Sequence, residues 1–249
     1  MMNYLKSEQY RLLRKKSLHI TSLVCFALIA GAAAVLAYFQ KTEPGFRYGT
    51  TSFYYSNVLG MTALIFIVSF LFNSSLTGRD TAVLKNAVSF GIRRSTIYWS
   101  KLLLTFGYLL VISIIGVALM LVLGETILIT DDKSVRDFLT ALVNMAPIIL
   151  SAFLFIHSLK MMKVGDIYVF IVLLVIYGFS GGFLRVGAQK LDILRTFYDY
   201  APDTLLGQNL LDFMSHTIEY GYEYWITGIV LSAAALIIGI TKFSKQTID

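Results

Sequence analysis

Charge is what this chain has least of. Only 14% of its 249 residues are Asp, Glu, Lys or Arg, where a soluble domain carries about a quarter. Hydrophobic residues make up 57%, and the mean hydropathy is +0.71. That composition excludes a soluble enzyme and a disordered chain. Cysteine is nearly missing as well. With Cys25 alone there can be no intrachain disulfide, so a secreted disulfide scaffold is excluded. Cys25 lies within an apolar run, where a small buried thiol is the ordinary reading. The three histidines, His19, His157 and His216, are too scattered to imply a metal site. No G-x-x-x-x-G-K-[ST] phosphate loop occurs, so the chain is not itself an ATPase, and neither H-E-x-x-H nor G-x-S-x-G is present. An enzyme is not expected.

The few charges are unevenly placed. Six stretches contain none: 18–39, 58–77, 102–124, 138–159, 167–184 and 224–241. As helices they would be about 27 to 35 Å long, matching a hydrocarbon core of roughly 30 Å. Membrane strands would be segments of about 10 residues, roughly half as many as in these runs, and would alternate in polarity. The expectation is an all-α polytopic membrane protein, a single transmembrane domain over 1–249 with six spans. The first run resembles a signal peptide in its small residues, but its apolar core is too long and 17 residues precede it. It is therefore read as a span.

Basic residues set the orientation. The N-terminal segment, the connections between spans two and three and between spans four and five, and the tail hold 14 of the 21 Lys and Arg. The other three connections hold seven, with 11 of the 15 acidic residues. Both termini are thus expected to be cytoplasmic. The net charge of +6 follows this asymmetry and forms no stripe interleaved with stacking aromatics, so nucleic acid is not an expected partner; the lipid membrane is.

The connections carry further pattern. Residues 1–17 place Leu5, Leu12 and Leu13 near one helical face, with Lys6, Arg14 and Lys16 outside it, as in an interfacial elbow. In the loop 78–101, Val83, Leu84, Ala87 and Val88 recur at helical spacing, predicting a short amphipathic helix on the cytoplasmic surface. Ser89, Phe90 and Gly91 should end it, Gly91 by adopting a left-handed conformation, and Ser95 or Thr96 should cap the helix that leads into span three. The outer loop 185–223 has six acidic residues and two amphipathic patterns, one on each side of Pro202, predicting an outer helical loop. Small-residue spacings at Ala30 with Ala34, at Gly178 with Gly181 and Gly182, and at Gly228 with Ser232 allow close helix packing.

The stretch from Gly78-Arg79-Asp80-Thr81 through Leu84-Lys85-Asn86, Ser89-Phe90-Gly91 and Arg93-Arg94 to Tyr98 and Lys101-Leu102-Leu103 resembles the first cytoplasmic loop of type-2 ABC exporter permeases. Asn86 before the turn and Phe90-Gly91 within it resemble the immunity and peptide-export permeases of Gram-positive bacteria. Asp80 departs from the Glu usual in that family. The resemblance is detailed over about 25 residues and extends further only through the six-span plan. It implies that this loop is a coupling helix docking on an ATPase through Asp80, Thr81, Lys85, Asn86, Ser89, Phe90, Gly91, Arg93, Arg94, Tyr98 and Lys101. It also implies two copies of an ATP-binding subunit, a second permease chain as homo- or heterodimer, and a location in the bacterial cell membrane. No cofactor is expected on this chain; ATP and Mg would sit on the partner ATPase.

Charge-free spans bear on energy coupling too. An ion-driven carrier keeps titratable groups at membrane depth, and here only His157 is a candidate, expected as an interfacial hydrogen-bonded residue. Asn73, Asn144 and Pro147 are the candidates for a substrate path, with helix-to-helix hydrogen bonding the ordinary role of the asparagines. The leading functional reading is the transmembrane permease subunit of an ATP-driven exporter of an amphipathic substrate such as a peptide, toxin or lipid-like molecule. The alternatives are a membrane scaffold or sensor whose basic loop binds a regulator or anionic lipid, and an ion-coupled carrier.

Overall fold

A computed structural model describes residues 2–77, 81–191 and 193–246. Among these the chain forms helices α1 (Met2–Leu13), α2 (Lys16–Thr42), α3 (Thr51–Gly60), α4 (Thr62–Thr77), α5 (Thr81–Ser89) and α6 (Arg94–Ile127). They are followed by α7 (Ser134–Met161), α8 (Asp166–Tyr177), α9 (Ser180–Ala188), α10 (Ile193–Tyr198), α11 (Pro202–Met214) and α12 (Tyr222–Lys245). The only β pairing among the described residues is an isolated bridge between Thr50 and Ile129.

Among the described residues four helices, α2, α6, α7 and α12, are long and apolar enough to cross a membrane. Two bent pairs, α3 with α4 and α8 with α9, raise the number to six if each pair is one span. Large apolar side chains point outward along the long helices, among them Ile20 and Leu23 on α2, Ile114 and Val122 on α6, and Ile229 and Ile237 on α12. An apolar exterior of this extent suits a membrane-embedded protein.

The bends are where the structure departs from six plain runs. The charge-free run at 58–77 begins inside α3 and breaks at Met61, where the two helices meet at 57°. Thr62 Oγ1 donates to the Leu59 carbonyl at 3.2 Å, giving that carbonyl a side-chain partner at the break. The run at 167–184 breaks between α8 and α9 at 48°. There the Asp203 carboxylate of α11 accepts from Ser180 Oγ at 2.7 Å and from the Gly181 amide at 2.6 Å. A new helix N-terminus is thereby capped by a residue 22 positions away, a contact that hydropathy along the chain cannot register.

Two cores lie at opposite ends of the bundle. One joins Leu12 and Leu18 at the start of the chain to Leu76, Leu84, Ile97, Met161 and Phe243; we call this the proximal end. The other joins Ala37, Tyr55, Leu128, Phe138, Tyr177, Phe213 and Tyr224 at the distal end. Successive long helices therefore run antiparallel, and the start of α2 and the end of α12 are both proximal. At the distal end Asp131 accepts from the Ser52 amide at 3.1 Å, and Thr51 Oγ1 donates to Ser134 Oγ at 2.9 Å, lacing the start of α3 to the α6–α7 connection.

Helix α7 is the hub. Its apolar window is 56% buried, against 17–28% for α2, α6 and α12, so it is ringed by the others. Its most intimate neighbour is α12, which approaches through glycines. A Cβ on Gly228 would fall 2.6 Å from Pro147 backbone atoms, and one on Gly239 2.3 Å from Ser158 Oγ. The packing stripe of α12 is thus Gly228, Ala235 and Gly239, all buried, rather than Gly228 with Ser232. Ala30 and Ala34 are both exposed, and Ala33 and Ala37 make the inward contact of α2. Of the glycines at 178, 181 and 182 only Gly181 is buried, where a Cβ would meet Thr204 Oγ1 at 2.2 Å.

Helix α1 turns Leu12 and Glu8 toward the bundle. Leu12 and Glu8 are buried and Tyr4 half-buried, whereas Leu13 is exposed. Glu8 reaches this face by pairing with Arg11 at 3.0 Å. Burial, then the neighbouring Glu8 carboxylate, push the Tyr4 hydroxyl pKa well up, so it stays protonated.

Close packing of α12 on α7 has a direct test. Gly228→Leu should lower stability by about 1–3 kcal/mol or more through overpacking. Gly182→Leu, where a Cβ meets nothing within 4 Å, should change the melting temperature of the detergent-purified protein little.

Candidate functional site

From Thr81 onward the chain forms a helix (α5), a turn and a second helix (α6), as its sequence pattern predicts. Leu84 and Ala87 of α5 are buried against the proximal core, while Lys85, Asn86 and Ser89 face outward. The helix ends in a hydrogen-bonded C-terminal motif. The Ile92 amide donates to the Ala87 carbonyl at 3.1 Å and the Gly91 amide to the Val88 carbonyl at 3.0 Å. Gly91 sits between them at φ +77°, a left-handed conformation that glycine adopts without a Cβ penalty. Ile92 closes the turn by packing on the proximal core.

This turn presents Phe90. Its ring is 84% exposed, the most exposed large apolar side chain of the protein's described residues, and its amide is held by the Asn86 carbonyl at 3.0 Å. Arg93, also exposed, is the N-cap residue of α6. The helix begins at Arg94, so Ser95 and Thr96 lie inside its first turn and do not cap it. With 34 residues and no break, α6 extends about 50 Å from this turn to the far end of the bundle.

The remaining residues of the loop form the root of the surface. Arg94 donates to the carbonyls of Phe243 at 3.4 Å and Ser244 at 3.1 Å, and to that of Gln246. It thereby caps the end of α12, where the helix dipole and unpaired carbonyls favour a cation. Tyr98 is fully buried; its hydroxyl bonds Ser158 Oγ at 2.8 Å, and Ser158 Oγ donates to the Ala235 carbonyl at 2.8 Å. Lys101 is buried too, with Nζ donating to the Leu76 carbonyl at 2.6 Å. That carbonyl, in the last turn of α4, also accepts from Arg11 at 3.4 Å. Asp80 lies outside the described residues, and Thr81 is the first residue of α5.

Beneath this root is a buried polar chain. Asn73 Nδ2 lies 3.0 Å from His157 Nδ1, and His157 Nε2 lies 3.2 Å from the Tyr98 carbonyl. A carbonyl can only accept, so Nε2 carries the hydrogen and Nδ1 accepts from the Asn73 amide. Thr77 Oγ1 donates to Asn73 Oδ1 at 2.8 Å, which agrees with that assignment. His157 is therefore hydrogen-bonded, as its position suggested, and fully buried within the bundle, one turn before the proximal end of α7.

Asn144 plays the same part at the distal end. Its amide donates to Asn209 Oδ1 at 3.3 Å and the Glu219 carbonyl at 2.9 Å, and its oxygen accepts from the Gly221 amide at 3.1 Å. Asn73, Asn144 and Pro147 are all buried, but they do not form one site. Thirteen residues separate Asn144 from His157 on α7, about 20 Å along the axis, and Pro147 is covered by Gly228.

The residues expected to act together thus divide into an outward group, Lys85, Asn86, Ser89, Phe90, Gly91 and Arg93, and an inward group, Arg94, Tyr98 and Lys101, that anchors the turn to α12, α7 and α4. Sequence reasoning missed the anchoring partners, because carbonyl acceptors such as Leu76 and Phe243 carry no residue-type signal. No protein-family model, no curated protein and no solved structure matches the chain.

The buried chain can be probed by a double-mutant cycle. His157→Leu should cost about 1–3 kcal/mol by leaving the Asn73 amide and the Tyr98 carbonyl unpaired. The double variant His157→Leu with Asn73→Leu should cost less than the sum of the two single effects in denaturant unfolding, since the two side chains share a bond.

Proposed function

We propose that the chain is the transmembrane permease subunit of an ATP-driven exporter, with the proximal end on the cytoplasmic side. The observation that carries this reading is Phe90: a large aromatic ring displayed on a hydrogen-bonded turn at the end of the bundle richer in basic residues. Such a ring, flanked by Arg93, has the make-up of an interface anchor. Its placement also suits transmission of force. Arg94 ties the turn to α12, Tyr98 to α7 and Lys101 to α4, and α6 leaves it as one rod, so a push on the turn moves several helices as a body. Two ATP-binding subunits would supply ATP and Mg and shift the balance between inward-open and outward-open states.

The six-span count takes each bent pair as one span. A second permease copy, identical or not, would complete the transmembrane unit in the bacterial cell membrane. Because Asn73, Asn144 and Pro147 are engaged inside one copy, the path for an amphipathic substrate would run along the surface shared by two copies. A proton-coupled carrier is disfavoured by the hydrogen bonds that engage both nitrogens of His157.

Co-purification with a candidate phosphate-loop ATPase tests the reading. Phe90→Ala should weaken the complex by about tenfold or more, as loss of an anchor side chain does. Gly91→Glu should weaken it too, by straining the turn and adding a negative charge. If neither variant changes the complex or its substrate-dependent ATPase activity, the assignment of the turn is wrong.

A further inference from the structure

At the distal end, α9 and α10 enclose an open cleft of about 520 Å³ lined by Arg185, Ala188, Gln189, Arg195 and Tyr198. Each helix supplies one arginine and a neighbour three or four residues on, so both guanidiniums face the same space. Neither has a hydrogen-bond or ion-pair partner among the described residues. Asp203, the acidic residue that binds α9, is already engaged by Ser180 and the Gly181 amide. Two cations set around one cleft repel each other unless an anion lies between them, and the guanidinium fork matches two phosphate oxygens at once.

The surroundings identify the kind of anion. Phe183 and Val186 on α9 and Ile193 and Phe197 on α10 are all more than half exposed, forming an apolar flank beside the arginines. Depth agrees with this. From Asp166 at the proximal end, α8 and the bent α9 carry Arg185 roughly 25 Å toward the distal side, close to the level where hydrocarbon gives way to headgroups. We propose that the cleft binds the phosphodiester of an anionic glycerophospholipid in the distal leaflet. Arg185 and Arg195 grip the phosphate, Gln189 and Tyr198 donate to its oxygens, and the apolar flank lies against the acyl chains. The inference rests on the six-span reading for the depth of the cleft and is independent of transport.

Native mass spectrometry of the full chain, offered equimolar phosphatidylglycerol and phosphatidylcholine, tests it. Wild type should prefer phosphatidylglycerol by about thirtyfold, the scale expected of two basic side chains near an anionic surface. Arg185→Gln with Arg195→Gln should abolish the preference, whereas Lys41→Gln with Arg47→Gln, which removes two charges from another distal connection, should keep it. Arg185→Lys with Arg195→Lys, retaining charge without the fork, should give an intermediate preference. The proposal is overturned if the glutamine pair leaves the preference intact or the Lys41 and Arg47 pair removes it equally. It is also overturned if inorganic phosphate displaces the lipid, which would indicate a soluble-anion site. Orientation is read separately, by labelling Gln189→Cys in a Cys25→Ala background with a membrane-impermeant maleimide. Labelling from the cytoplasmic side alone would defeat the orientation while leaving the lipid preference standing.

Discussion

Helices surrounded by hydrocarbon gain little by burying leucine against leucine, because the lipid is equally apolar. What holds them together is close backbone approach and hydrogen bonds that have no better partner, and in this protein both converge on α7. Ser151 bonds the Tyr177 hydroxyl of α8, His157 joins α4 and α6, Ser158 joins α6 and α12, and Asn144 joins α11 and the segment before α12. The glycines of α12 complete the arrangement by admitting Pro147 and Ser158 at contact distance. Pairs of polar groups on α7, spaced along its length, thereby fix where every neighbour sits.

The proximal basic residues follow a second rule, which concerns helix ends. Arg94 sits over the last carbonyls of α12, and Lys101 and Arg11 share the Leu76 carbonyl at the end of α4. Each places positive charge where the helix dipole and unsatisfied carbonyls favour it. Basic residues at this end thus lock the turn carrying Phe90 to the helices. The turn is rigid at its root and bare at its tip.

Much of this was legible in the residues. Runs without charge marked the long helices, the spacing of Leu84 and Ala87 marked α5, and Gly91 marked its end, because each depends on local pattern or on backbone freedom at one position. The breaks at Met61 and before Ser180 were not legible. The second of these is capped by Asp203 from another helix, and no window of sequence contains both partners. The burial of Glu8 on α1 was not legible either, because it depends on the Arg11 side chain placed beside it. The nearness of His157 to Lys160 placed it near a helix end, but its partners on α4 and α6 could not be read from the chain. The candidate surface was therefore visible as a list of residues, but its division into an exposed tip and a buried root required the packing.

The central claim is that the Phe90 turn is a cytoplasmic docking point for an ATP-hydrolysing partner. Site-directed cross-linking addresses it most directly, with Phe90→Cys in a Cys25→Ala background, in membranes that also contain the candidate ATPase. The account predicts a cross-link from position 90 to that subunit whose yield changes on adding ATP and Mg, and none from Phe183→Cys at the distal end. Labelling of position 90 by an impermeant reagent from outside intact cells, with no cross-link to the ATPase, would contradict it.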